Sequence, residues 1–121
     1  MNNQHIMLYI GTDNRHEQFA ADGNWIVFHA PTMRDALAQT IFSHPDVIVI
    51  DAGSDMLLAE DSFYHLRTIQ HPPILLLSNM PNRWDTRRFK NPVSVLPEDS
   101  AHAEIANALV AMLEGKVATP A

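Results

Sequence analysis

The chain has 121 residues, 46% of them hydrophobic and 18% charged, with a formal net charge of −6 and no cysteine. That is one domain of ordinary globular composition, large enough to bury a core; it excludes a disulfide framework, a thiolate metal site and a cysteine nucleophile, and its acidity weighs against general nucleic-acid binding. No apolar run approaches the roughly 18 residues of a membrane span, and "MNNQHIMLYIG" lacks the basic start and cleavage site of a signal peptide, so a cytoplasmic protein is expected.

"HIMLYIG" (5–11) is an apolar run ended by Gly11 and predicts a first strand. "TDNRHEQFAAD" (12–22) predicts a short helix with Thr12 or Asp13 as N-cap, ended by Gly23-Asn24. "WIVFHA" (25–30) is a second strand. Pro31-Thr32 opens a second helix that runs to about Ser43, with Met33, Leu37, Ile41, Ala36 and Thr40 as its inward candidates at helical spacing. Thr32 followed by Asp35 resembles a capping box. The third strand is "VIVID" (47–51), continuously apolar and closed by an acid, as in a parallel strand buried on both faces. A third helix from about Met56 to Gln70 offers Leu57, Leu58, Phe63, Leu66 and Ile69 to the core, and His71-Pro72-Pro73 stops it. "ILLLS" (74–78) is a fourth strand, "MPNRWDTRRFK" (80–90) a short polar helix, and "VSVL" (93–96) a fifth strand. Ser100 opens a last helix, with Ile105, Leu109, Met112 and Leu113 inward and Gly115 as its cap. Residues 1–115 then form one domain, and 116–121 are expected to be a disordered tail.

Alternating strands and helices imply parallel pairing with right-handed crossovers. The most apolar strands, the first, third and fourth, belong at the centre. The expectation is a flavodoxin-like (βα)5 three-layer α/β sandwich with sheet order 2-1-3-4-5, whose switch point lies at the ends of the first and third strands, beside Asp51.

At this level the sequence resembles the receiver domain of bacterial response regulators. The matching pieces are "DAL" (35–37), "PDVIVID" (45–51), "PPILLLS" (72–78) and "VSVLP" (93–97). The resemblance implies a role in two-component signal transduction. It places Asp51 on the phosphoacceptor aspartate, Ser78 on the hydroxyl that contacts the phosphoryl group, and Pro97 on the proline after an invariant lysine. It also places partner docking or dimerisation on the face of the fourth helix, fifth strand and fifth helix.

The departures from that pattern fall on the chemistry. The acidic pair expected after the first strand is replaced by Gly11-Thr12, with Asp13 one or two residues late; Asp13 and Asp51 are what remains to hold Mg²⁺. The lysine position is Leu96, and the aromatic switch position is Val93. Phosphoryl transfer depends on positioning and on neutralising oxygen charge, and an acyl phosphate carries nearly two negative charges. Without metal or ammonium the modification is unfavourable by several kcal/mol, far beyond one Ser78 hydrogen bond of about 0.5–1.5 kcal/mol. Asp51 then reads as a residue that accepts backbone N–H bonds from the following loop or caps the third helix. Arg83 or Arg87 could in principle replace the lost cation.

Other patterns carry little chemistry. The seven histidines lack helical metal spacing, and no phosphate loop or nucleophile elbow is present. Arg83, Arg87, Arg88 and Lys90 surround Trp84, which reads either as a docking patch or as a solvated helix with Trp84 or Phe89 turned inward. The leading expectation is a non-enzymatic, cofactor-free interaction module independent of aspartyl phosphate, acting on a protein partner or a second copy. The alternative is a phosphorelay receiver modified at Asp51 with Mg²⁺. A flavodoxin-like ligand-binding enzyme and weak nucleic-acid contact through 83–90 rank below both.

Overall fold

The computed structural model describes residues 4–114. The elements are β1 (His5–Ile10), α1 (His16–Ala21), β2 (Trp25–Ala30), α2 (Met33–Phe42), β3 (Val47–Asp51), α3 (Met56–Leu66), β4 (Ile74–Leu77), a 3-10 turn (Pro81–Arg83), β5 (Val93–Leu96) and α4 (His102–Leu113). Every pairing is parallel, and the order is β2-β1-β3-β4-β5, the flavodoxin-like α/β arrangement expected. All of β3 and β4 is buried, as unbroken apolar runs require of strands covered on both faces.

Alternation along the strands divides the core. Leu8, Ile10, Ile48, Ile50 and Leu76 meet Phe63 and Leu66 of α3 on one side of the sheet. Met7, Tyr9, Val49 and Leu77 meet Phe19 of α1 and Ile105, Leu109 and Met112 of α4 on the other. Tyr9 therefore faces α1 and α4.

Thr32 caps α2, its Oγ1 accepting the Asp35 N–H at 3.1 Å, a contact worth about 1 kcal/mol. Asp55 caps α3 through the Leu58 N–H at 3.0 Å. Several expectations need correction. α1 starts at His16, and neither Thr12 nor Asp13 caps it: Arg15 stands at the N-cap without a side-chain cap bond. Ile41 and Leu57 point outward, 56% and 71% exposed, while Ala36 and Thr40 of α2 are buried as expected. α3 ends at Leu66, and α4 opens at Ala101, not Ser100. Gly115 and the expected tail at 116–121 lie outside the described residues.

The largest departure is the fourth helix. Over residues 80–90 only Pro81–Arg83 is helical, as a single 3-10 turn. Trp84 is 5% exposed and meets Phe63 edge-on at 5.1 Å, while Phe89 packs on the same ring at 4.5 Å. The docking patch expected around Arg83, Trp84, Arg87, Arg88 and Lys90 thus loses its aromatic centre to the core. Arg83 donates to Glu60, and Arg87 grips Asp85 at 2.9 and 3.1 Å.

Candidate functional site

Asp51 closes β3 at the carboxyl end of the sheet and is 2% exposed. Tyr9 pairs in register with Val49, two residues before Asp51 on the same face of β3. Its phenol reaches along that face and donates to Asp51 Oδ2 at 2.6 Å, and the phenol oxygen also lies 3.1 Å from Asp13 Oδ1. The Gly53 N–H donates to the second carboxylate oxygen, Oδ1, at 3.1 Å. Asp51 therefore accepts a loop N–H, as one of the two structural roles expected; the other, capping α3, falls to Asp55.

The two loops that flank Asp51 are stitched together. The Thr12 N–H donates to Ser54 Oγ and the Thr12 hydroxyl to the Ser54 carbonyl, both at 3.0 Å. Ser54 Oγ in turn donates to the Asp51 carbonyl at 2.9 Å. A Cβ at position 11 would meet Ser54 Oγ at 2.8 Å, Tyr9 Cε1 at 3.1 Å and Asp51 Cβ at 3.2 Å. Glycine is what lets the β1–α1 loop approach so closely. His29 Nε2 lies 2.7 Å from the Gly11 carbonyl, which can only accept, so this nitrogen carries the hydrogen.

The electrostatics follow from this packing. Burial is the main force holding the Asp51 carboxyl above its ordinary range, followed by the Asp13 carboxyl; the Tyr9 hydroxyl and the Arg15 guanidinium act in the opposite sense but do not prevail. Burial, then Asp51, keep the Tyr9 phenol firmly protonated. The cation at this end of the sheet is Arg15, not the Arg83 or Arg87 considered from the sequence. Arg15 Nη2 donates to the Glu98 carbonyl at 2.7 Å, and Nη1 is buried with no hydrogen-bond partner. The charge deficit read from Leu96 is thus smaller than the sequence implied.

The sign of a pH effect follows. A carboxyl whose folded pKa is raised holds a proton in the native state that the unfolded chain has released, so stability falls as pH rises through that window. Asp51→Asn removes the buried charge and keeps an acceptor for Tyr9. It is expected to stabilise the fold at pH 7 by about 1–3 kcal/mol, the scale of a desolvated polar group. The gain should vanish below about pH 4, the unperturbed range for aspartate. Urea titrations of both chains at the two pH values give the comparison; an unchanged midpoint at pH 7 would show that burial of Asp51 carries no penalty.

Ser78, expected to contact a phosphoryl group, is engaged elsewhere. Its Oγ accepts the Met80 N–H at 3.1 Å and the Trp84 Nε1–H at 2.9 Å. Mg²⁺ would require Asp13 and Asp51 as ligands. The Tyr9 hydroxyl stands between those two carboxyls, within hydrogen-bond distance of both. No group of three or more metal-ligating side chains converges among the described residues. The donor set for the ion is then two carboxyls bridged by the Tyr9 hydroxyl.

Tyr9, Arg15 and Glu98 were not singled out from the sequence. Tyr9 carried a signal: a phenol inside a buried strand needs a partner, and the acid of this sheet's central strand is Asp51.

No family model matches the sequence, and no curated protein does. Among solved structures, the chain is similar to the N-terminal domain of the nisin resistance regulator NsrR, a lantibiotic response regulator. The TM-score is 0.69 at 18% identity, over 92% of this chain and 99% of that one. At that identity the likeness is one of fold: the chain has the architecture of a response-regulator receiver domain. No helix among the described residues is long and apolar enough to cross a membrane.

Proposed function

We propose that the protein is a cytoplasmic bacterial signalling module of receiver architecture that works through protein–protein contact, without an aspartyl phosphate. The observation that carries this reading is the 2.6 Å hydrogen bond from Tyr9 to Asp51. It engages one Asp51 oxygen and sets the phenol between the two carboxyls that a metal would need, Asp51 and Asp13. Modification would break that bond and add nearly two negative charges to a crevice that already holds Asp13. One guanidinium, spent partly on a carbonyl, offsets only part of that cost, which is several kcal/mol. The exposed cations Arg83, Arg87, Arg88 and Lys90 remain a docking patch for an acidic partner, acting through steering and register rather than through a buried anchor.

A second reading, phosphoacceptance at Asp51, is favoured by Arg15, whose guanidinium supplies positive charge near the acid. Intact-mass measurement after incubation with acetyl phosphate and Mg²⁺ separates the two. The unmodified mass is expected. An adduct of one phosphoryl group that disappears in Asp51→Asn would establish the second reading and remove the first.

A further inference from the structure

The loops beside Asp51 carry a third acid, after Asp13, that has no place in either reading. Glu98 follows Pro97 in the β5–α4 loop. Its Oε2 accepts the Asn79 N–H at 3.1 Å, and its own N–H donates to Asn79 Oδ1 at 3.0 Å. The two residues clasp each other across the loops that follow β4 and β5. The Glu98 side chain also lies against Gly53: a Cβ there would stand 2.6 Å from Oε1 and 3.0 Å from Cδ. Gly53 is the residue whose N–H holds Asp51 Oδ1. The Glu98 carbonyl accepts from Arg15 Nη2 at 2.7 Å, so the β1–α1 segment is tied to the same residue.

Glu98 thus touches three segments at once: the start of α1, the loop after β3 and the loop after β4. We propose that its carboxylate is a built-in anion of the crevice, occupying an oxyanion position beside Asp51 and holding these loops in one fixed arrangement. The groups around it are those that would receive a free tetrahedral oxyanion. They are the backbone N–H of Asn79 and the glycine that leaves room at position 53; Arg15 reaches the same residue through its backbone carbonyl, not its carboxylate. An anion supplied by the chain itself is bound without the entropy loss of capturing a free one. It also excludes a competitor by charge and by volume. The inference rests on the phosphate-independent reading, because it assigns to Glu98 the fixing of state that a modification would otherwise perform.

The test is amide NMR on Glu98→Ala in the Asp51→Asn background, with inorganic phosphate as the probe. Hydrogen exchange at the Asn79 amide is expected to rise about tenfold relative to Asp51→Asn alone, the scale of losing one charge-assisted hydrogen bond. Phosphate should then shift the Asn79 and Gly53 amides saturably and restore protection, while leaving the parent protein unmoved. Equal phosphate response in parent and variant, or no response at Asn79 in the variant, overturns the proposal. Should the alanine variant not fold, Glu98→Asp withdraws the carboxylate by one methylene while keeping its charge. Several-fold faster Asn79 exchange is then expected, and unchanged exchange overturns the clasp. Because position 51 cannot be phosphorylated in this background, a phosphoryl adduct on the wild-type chain would sink the proposed function while leaving this measurement intact.

Discussion

Trp84→Ala is expected to destabilise the fold by about 3–5 kcal/mol, the range for deleting a buried aromatic side chain. The indole is 5% exposed, meets Phe63 edge-on, and gives its Nε1–H to Ser78 Oγ at 2.9 Å. Its removal opens a cavity between the 3-10 turn and α3 and strips Ser78 of one donor. Trp84→Phe retains most of the ring and should cost less, about 1–3 kcal/mol, since it leaves the hydroxyl oxygen short of one buried partner. Chemical denaturation followed by circular dichroism compares the two. A loss below about 1 kcal/mol for the alanine variant would place the indole at the surface, where the docking-patch reading from the sequence had it. The consequence for binding studies is direct. Trp84 variants report on the core, and the exposed Arg88 and Lys90 are the positions at which charge reversal probes a partner.

The segment that carries Trp84 also shows where sequence patterning stops being informative. Trp84 and Phe89 both turn inward against Phe63, yet residues five apart lie about 140° apart around an α-helix. One helical stripe cannot bury both. The chain gives up the helix after Arg83, and Arg87 folds back on Asp85, a pairing at i, i+2 that a helix does not allow. Short polar composition with helix-compatible residues concealed this conflict. The strands were legible for the opposite reason. The β-branched run ending in Asp51 and the leucine run of β4 have one stable location, the middle of a parallel sheet, and that location puts Asp51 at the switch point. What could not be read was the company Asp51 keeps. Arg15 and Glu98 meet across 83 positions of sequence, and no local pattern announces such a contact. The Leu96 substitution was visible as a lost cation, whereas the cation that enters from the start of α1 was not.

Tyr9 is where the scaffold and the crevice meet, and its variants should separate the two. Tyr9→Ala empties a fully buried ring site beside Phe19, 6.3 Å away between ring centres. A loss of about 3–5 kcal/mol is expected from packing alone, at every pH. Tyr9→Phe keeps the ring and removes only the hydroxyl. Its loss, about 1–3 kcal/mol at pH 7, comes from leaving the Asp51 carboxylate without its 2.6 Å donor. The hydroxyl favours the charged form of Asp51, so its contribution is present where that carboxylate is ionised and fades as acid protonates it. The penalty of Tyr9→Phe should therefore shrink toward zero on acidification, while that of Tyr9→Ala should fall only by the same amount and keep its packing part. In Asp51→Asn the cost of Tyr9→Phe should fall, and the double-mutant cycle should return a coupling within the roughly 0.5–3 kcal/mol seen for residues in direct contact. Zero coupling together with a pH-independent Tyr9→Phe loss would mean that the phenol and the acid do not share a proton. Asp51 would then stand open to metal and phosphodonor, and the case for a phosphate-independent module would fail with the bond on which it rests.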